Sequence, residues 1–378
     1  MTSPHIFYVT QTIFSNISKI IERGKKSSTY KYALLRGTID IIQENSPYLS
    51  YKNDKVYVPL GLLVEKWILY YYPIFELDIS QNTSKNSSFE LRLKALIKYY
   101  EKKGNFSAFY NDLHKNNIPD EFKLEFFELL RSIRETICDM PMKHIGNVLT
   151  KNHYSIFKPT KYKIFKSNFH KYSDRENIIN DFGEFSIPIA YYEAFKIFGS
   201  FINGKDSILF KWAEFSAKAS GDNLSIGNVV TQVLKSPITE REILESKKLY
   251  KQILEKKGNV YCVWTGKKLK KYDVDHIIPF SVWKNNDLWN LLPSNSNINR
   301  NQKKDKIPSP ILIEKQKDII LNYWNLIFKE QSVRFKKEFQ IALLGNLSFD
   351  EWQQNGISQL KESCTYLIEN RGFEEWKN

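Results

Sequence analysis

The chain has 378 residues, of which 42% are hydrophobic, and its 56 lysines and arginines outnumber its 42 aspartates and glutamates to give a formal net charge of +14. That length and apolar content predict a soluble, globular protein of two or three domains. The charge surplus favours polyanionic partners, nucleic acid before an acidic membrane surface. Cys138, Cys262 and Cys364 lie far apart with no CxxC pair, which argues against a disulfide framework and a four-cysteine zinc site and fits a reducing cytoplasm.

In chain order, apolar positions recur at helical spacing over residues 3–24 and 28–45, with the Gly24 and "KKSS" turn between them. The most apolar stretch, "VPLGLLVEKWILYYYPIF", is interrupted by Glu65 and Lys66 and flanked by prolines, so it reads as a buried helix over 58–72 ended by Pro73, and no membrane span is expected. No amino-terminal segment has the pattern of a signal peptide. "SQNTSKNSS" is a loop by composition, and "FELRLKALIKYYEKKG" and "EFKLEFFELLRSIRETI" return to the helical period. From His153 onward, alternating residues around Pro159 and before Pro188 predict a short β segment among helices. "DSILFKWAEFSAKAS" is helical, and the helix within "SPITEREILESKKLYKQILEKKG" is expected to be capped by Ser236, with Pro237 in its first turn, Thr239 and Glu242 at capping-box spacing, and a stop at Gly258.

A different pattern begins at Asn259. "NVYCVWTGKKLKKYDVDHIIPF" predicts two short strands around a glycine turn, leading to His276; "SVWKNNDLW" is a loop, "NLLP" a strand and "SNSNINRNQKKDK" a polar helical turn. Adjacent residues on a strand point to opposite faces, so Asp275 and His276 are presented to different neighbours. Phosphodiester cleavage needs a hard divalent ion on a phosphate oxygen, oxygen ligands to hold it, and a neutral imidazole to activate water. Asp275, Asn299 and His276 supply those groups. The other five histidines have no motif around them and read as structural or surface residues.

"DVDHIIPFS", then "WNLL" with Asn290 fourteen positions after His276, then "NINR" with Asn299 nine further on, resembles the signature of HNH (ββα-metal) endonucleases over Asn259–Pro308. The resemblance implies that His276 is the general base, that Asp275 and Asn299 are the metal ligands, and that Asn290 braces the loop and orients the histidine. It also implies Mg²⁺ or Mn²⁺ as cofactor. Many members bind a structural zinc through two CxxC pairs. Here Thr265, Asn295 and Ile298 stand at three of the cysteine positions, so no structural zinc is expected and packing of Trp264, Trp283 and Trp289 is expected to hold the motif together.

Basic residues flank the motif: Lys267, Lys268, Lys270 and Lys271 before it, and Arg300, Lys303, Lys304 and Lys306 after it, as candidate phosphate contacts on either side of a scissile bond. After Pro308 the helical period resumes. The expected fold class is mainly α: a helical N-terminal domain over 1–150, a mainly helical middle region over 151–235, the small ββα-metal nuclease motif with its lead-in helix over 236–308, and a C-terminal helical cap over 309–378. The expected activity is DNA endonuclease, with a restriction or antiphage setting and a regulatory or defence-system subunit as analogies drawn from comparable module arrangements. Two alternatives stay open, a non-catalytic DNA- or partner-binding protein using the module as a scaffold and an HNH nuclease acting on RNA.

Overall fold

Asn53 and Asp54 both adopt left-handed backbone conformations, with φ of 50° and 56°. Asparagine and aspartate tolerate that region better than most residues, so the pair reverses the chain in a tight hairpin. Its strands are β1 (Ser50–Lys52) and β2 (Lys55–Pro59). Val56 and Val58 point inward while their neighbours stay half-buried, the two-residue period of a sheet with one wet face. With β3 (Lys158–Pro159) and β4 (Glu184–Pro188) they form one antiparallel sheet in the order β1-β2-β4-β3.

The computed structural model describes residues 12–13, 15–21, 27–83, 88–145, 155–160, 166–202, 208–221, 225–234, 243–283 and 286–377. Its contacts divide the chain into two units, Met1–Gln43 with Leu49–Pro237, and Glu44–Tyr48 with Ile238–Asn378. The fold is mainly α with small sheets. The pairing of β2 with β4 joins residues on both sides of the boundary expected at 150, so the first unit is one body across that point. The expected capping of the lead-in helix by Ser236, Pro237, Thr239 and Glu242 lies outside the described residues, as do His5 and His153. Among the described residues no helix is long and apolar enough to cross a membrane.

In the first unit, the helix Leu60–Glu76 is buried along nearly its whole length. Pro73 does not end it, as its sequence predicts, because the helix continues one further turn and buries Ile74 and Phe75. Gly61 allows close packing: a Cβ there would lie 2.0 Å from the carbonyl oxygen of Ile178. Trp67, Tyr71, Phe89 and Trp212 pack as an aromatic cluster at the centre. Glu65, buried on the same helix, receives two hydrogen bonds from Arg175, Nε to Oε2 at 3.0 Å and Nη2 to Oε1 at 2.8 Å. The third nitrogen of that guanidinium lies 3.1 Å from Nδ1 of His114. Burial first, then the charges of Arg175 and Lys66, hold His114 well below the usual imidazole range and keep it neutral.

In the second unit, the helix Leu244–Lys257 stops at Gly258, which takes φ of 70° and returns its N–H to the carbonyl of Leu254. Next come the hairpin of β5 (Val260–Tyr261) and β6 (Lys268–Leu269), then β7 (Asp273–His276) paired antiparallel with β8 (Leu291–Ser294). The expected loop between β7 and β8 contains a helical turn, Phe280–Trp283, and ends in the turn Leu288–Asn290. A widened π-helical segment, Ile298–Lys303, comes after β8. β9 (Ile307–Pro308) leads into the helices Pro310–Lys315, Lys317–Glu330, Ser332–Phe339 and Trp352–Glu369, and β10 (Glu375–Trp376) returns to pair parallel with β9. These helices share one core with the strands, including Trp264, Trp289, Trp324 and Phe339.

Candidate active site

β7 ends at the pair the sequence singles out. In register, Asp275 faces Leu292 and His276 faces Leu291. Both side chains are buried, Asp275 at 3% and His276 at 2% exposure. The carboxylate of Asp275 is held from two directions: the indole Nε1 of Trp264 donates to Oδ2 at 2.8 Å, and Nζ of Lys303 lies 3.5 Å from Oδ1. Trp264 itself is fixed edge-on against Trp376, with ring centroids 5.1 Å apart.

The imidazole of His276 contacts Oδ1 of Asn286 through Nε2 at 3.2 Å and packs beside the ring of Phe280. An amide oxygen can only accept, so in this arrangement Nε2 carries the hydrogen, and in the neutral ring Nδ1 carries the lone pair. The backbone beyond His276 is pinned by Asn290. The N–H of Ile277 donates to the carbonyl of Asn290 at 2.8 Å. The Asn290 side chain, fully buried, accepts from the N–H of Ile278 at 2.8 Å and donates to its carbonyl at 3.0 Å.

Asn299 is half-buried on the π-helical segment, its carbonyl accepting from the N–H of Lys304 at 3.1 Å. Lys303, one turn further on, is fully buried and donates through Nζ to the carbonyl of His276 at 2.7 Å. Residues about one turn apart share a helix face, so Asn299 and Lys303 lie on the same side of this segment. Burial removes Lys303 from the expected set of phosphate contacts, because its ammonium points into the protein. Lys267, Lys268, Lys270, Lys271 and Lys304 are exposed. Arg300 is also exposed but makes a two-point ion pair with Asp273, at 2.8 and 3.2 Å, and Lys306 pairs with Glu374.

Around Cys262, the N–H of Asn295 donates to Sγ at 3.3 Å and the Ser294 hydroxyl lies 3.9 Å away. Trp289 is fully buried, with Trp283 edge-on at 6.2 Å and its carbonyl accepting from the indole of Trp324 at 2.8 Å. Glu338 supports the loop before Asn290, accepting from the N–H of Leu288 at 2.7 Å and from Nε of Arg334 at 2.5 Å. Burial, with the charge of Asp287 adding to it, pushes the Glu338 carboxyl up to about 8. Burial also pushes the Cys364 thiol up to about 12, against the opposing pull of Lys303. Asn286 and Glu338 go unmarked in the sequence because only tertiary packing brings them to the site, and Trp264, expected only to pack, also donates to Asp275.

A short antiparallel pair succeeded by a helix, with aspartate and histidine at the strand end and asparagines on the two elements after it, defines a small nuclease module. Residues 262–309 match the HNH endonuclease family, so the chain carries an HNH endonuclease domain. Residues 10–233, more than half of the chain, match the family described as a domain of unknown function, DUF8808, and the chain belongs to that family. The CRISPR-associated endonuclease Cas9 of Streptococcus mutans serotype c is 30% identical over 118 residues, which is 30% of this chain and 8% of the length of that protein. No solved structure matches the chain.

Proposed function

We propose that the chain is a divalent-metal-dependent endonuclease that hydrolyses phosphodiester bonds in DNA, in a bacterial restriction or antiphage setting. The observation that carries this reading is the reach of Lys303 to Asp275 and to the carbonyl of His276, which ties the segment that also bears Asn299 to the Asp-His strand. A carboxylate oxygen and an amide oxygen are hard donors that fit Mg²⁺ or Mn²⁺. Asp275 and Asn299 would hold such an ion, which when bound would offset charge developing on the phosphate. His276 takes the proton of the attacking water through Nδ1 while Asn286 holds Nε2, and Asn290 keeps the histidine's backbone in place. The exposed lysines, Lys267, Lys268, Lys270, Lys271 and Lys304, grip the phosphate backbone, with Arg300 and Lys306 joining them where their carboxylate partners release them.

A scaffold without catalysis is the second reading, and the 2% exposure of His276 favours it, since water must enter a closed site to reach the ring. Incubation with plasmid DNA and with RNA, each with Mg²⁺ and with EDTA, separates the readings. The expected result is Mg²⁺-dependent cleavage of DNA, reduced by roughly 10² to 10⁴ in His276→Ala. Cleavage by His276→Ala at the unmodified rate would remove the histidine from the mechanism, cleavage of RNA alone would change the substrate, and no cleavage of either would favour the scaffold.

A further inference from the structure

A lysine with no exposed surface needs a reason, because burying an ammonium group is costly unless it is paired and hydrogen-bonded. Among the described residues Lys303 is the only buried lysine. Its Nζ lies 2.7 Å from the carbonyl oxygen of His276, 3.5 Å from Oδ1 of Asp275, and 5.6 Å from the centre of the Trp264 ring. The shorter contact is to the backbone carbonyl, so the ammonium is anchored on the strand and the carboxylate is its second partner.

We infer that Lys303 is a positioning residue that sets the separation between Asp275 and Asn299. The inference rests on the reading that those two side chains hold a divalent ion. Asp275 is on β7 and Asn299 on the segment after β8, so two ligands of one ion come from elements joined by a loop and a strand. Lys303 links them directly, since it shares its helical segment with Asn299 and ties both the carboxylate and the end of the strand to that segment. The widened turn contributes: it ends at Lys304, whose backbone turns to φ of 51° as its N–H bonds to the carbonyl of Asn299. Trp264 fixes the other carboxylate oxygen, so Asp275 is held at both oxygens from opposite sides in sequence, by the hairpin before it and the helix after it. Groups of this kind, which orient a ligand without touching the ion, typically change metal affinity about 10- to 100-fold when removed.

The test uses the full chain with His276→Ala, bound to a DNA duplex so that no cleavage intrudes, and tracks Mn²⁺ binding by electron paramagnetic resonance. Lys303→Gln, which keeps a donor for the carbonyl and loses the charge, is expected to bind Mn²⁺ about tenfold more weakly, with the salt dependence of DNA binding unchanged. Unchanged or tighter Mn²⁺ binding overturns the inference, and so does a shallower salt dependence, which would make Lys303 a phosphate contact. If the Lys303-containing protein shows no Mn²⁺ binding that Asp275→Asn abolishes, the metal reading itself falls and takes the inference with it. Should Lys303→Gln not fold, the unmodified chain decides the matter by nitrogen-15 NMR of its lysine ammonium groups. A slowly exchanging Nζ resonance that moves on Mg²⁺ addition is expected, and a resonance indifferent to Mg²⁺ overturns the inference.

Discussion

Asn290 clasps the backbone of Ile278 at two points, taking its N–H and giving to its carbonyl, with no exposed surface of its own. Asn290→Ala would leave both backbone groups unsatisfied, at a cost of about 1–3 kcal/mol for each buried group. A clear fall in melting temperature is expected together with reduced cleavage. Asn299→Ala, at a half-buried position, should cost little stability and raise the Mg²⁺ concentration needed for half-maximal rate. Melting curves and Mg²⁺ titrations of both variants check this, and matching behaviour would mean that the two asparagines do not divide bracing from ligation.

Replacing Lys267, Lys268 and Lys304 by alanine should weaken DNA binding alike for all sequences. The log-log salt slope should become shallower by roughly one unit for each phosphate no longer engaged. Binding isotherms over a salt series, measured on the His276→Ala background, give the slope. An unchanged slope would move the DNA-binding surface away from this face.

Glu338 makes the second unit sensitive to alkali. Its carboxyl keeps a proton up to about 8 in the folded protein, against an ordinary value of 4.5. Between those values the folded state binds a proton that the unfolded state has released, so its contribution to stability is full below about 4.5 and is lost as the pH rises through about 8. The melting temperature should therefore fall over that window by more in the parent than in Glu338→Gln. Parallel pH dependences in the two proteins would assign the trend to other groups.

Gly345 and Gly372 make a controlled comparison. Both take positive φ, 60° and 70°, but a Cβ on Gly345 would lie 2.4 Å from the carbonyl oxygen of Pro47, while one on Gly372 would meet nothing within 4 Å. Gly345→Ala should lower the melting temperature clearly more than Gly372→Ala, which carries only the backbone strain, about 1–3 kcal/mol. Equal losses would mean that the Pro47 segment yields at little cost.

How much of the fold and site could be read in advance depended on where the information lay. Helices over most of the chain come from apolar period, and the strand, loop, strand, helix order around His276 comes from its short alternating runs and polar breaks. The hairpin at 50–59 escaped because Asn53-Asp54 lacks the glycine that usually marks a two-residue turn. Pro73 misleads because a proline near a helix end removes one hydrogen bond, a loss that further apolar burial can offset. Lys303 was legible as a charge and not as a direction: a lysine stem can carry its ammonium to solvent or into a protein with the same sequence signal. Trp264 lies 11 residues from Asp275 and Glu338 lies 50 from Leu288, separations to which no local periodicity corresponds.

Trp376 rests edge-on against Trp264, and Trp264 holds Asp275. The stretch from 262 to 309 is therefore not a unit of folding by itself, since its core is completed by residues beyond it. Transplanted alone into another scaffold, it would leave behind the tryptophan that backs its own Trp264 and the glutamate beneath Leu288, and it would expose an apolar underside. A graft that works has to carry the second unit whole, or supply a host surface that reproduces an indole at one end and a buried acceptor at the other.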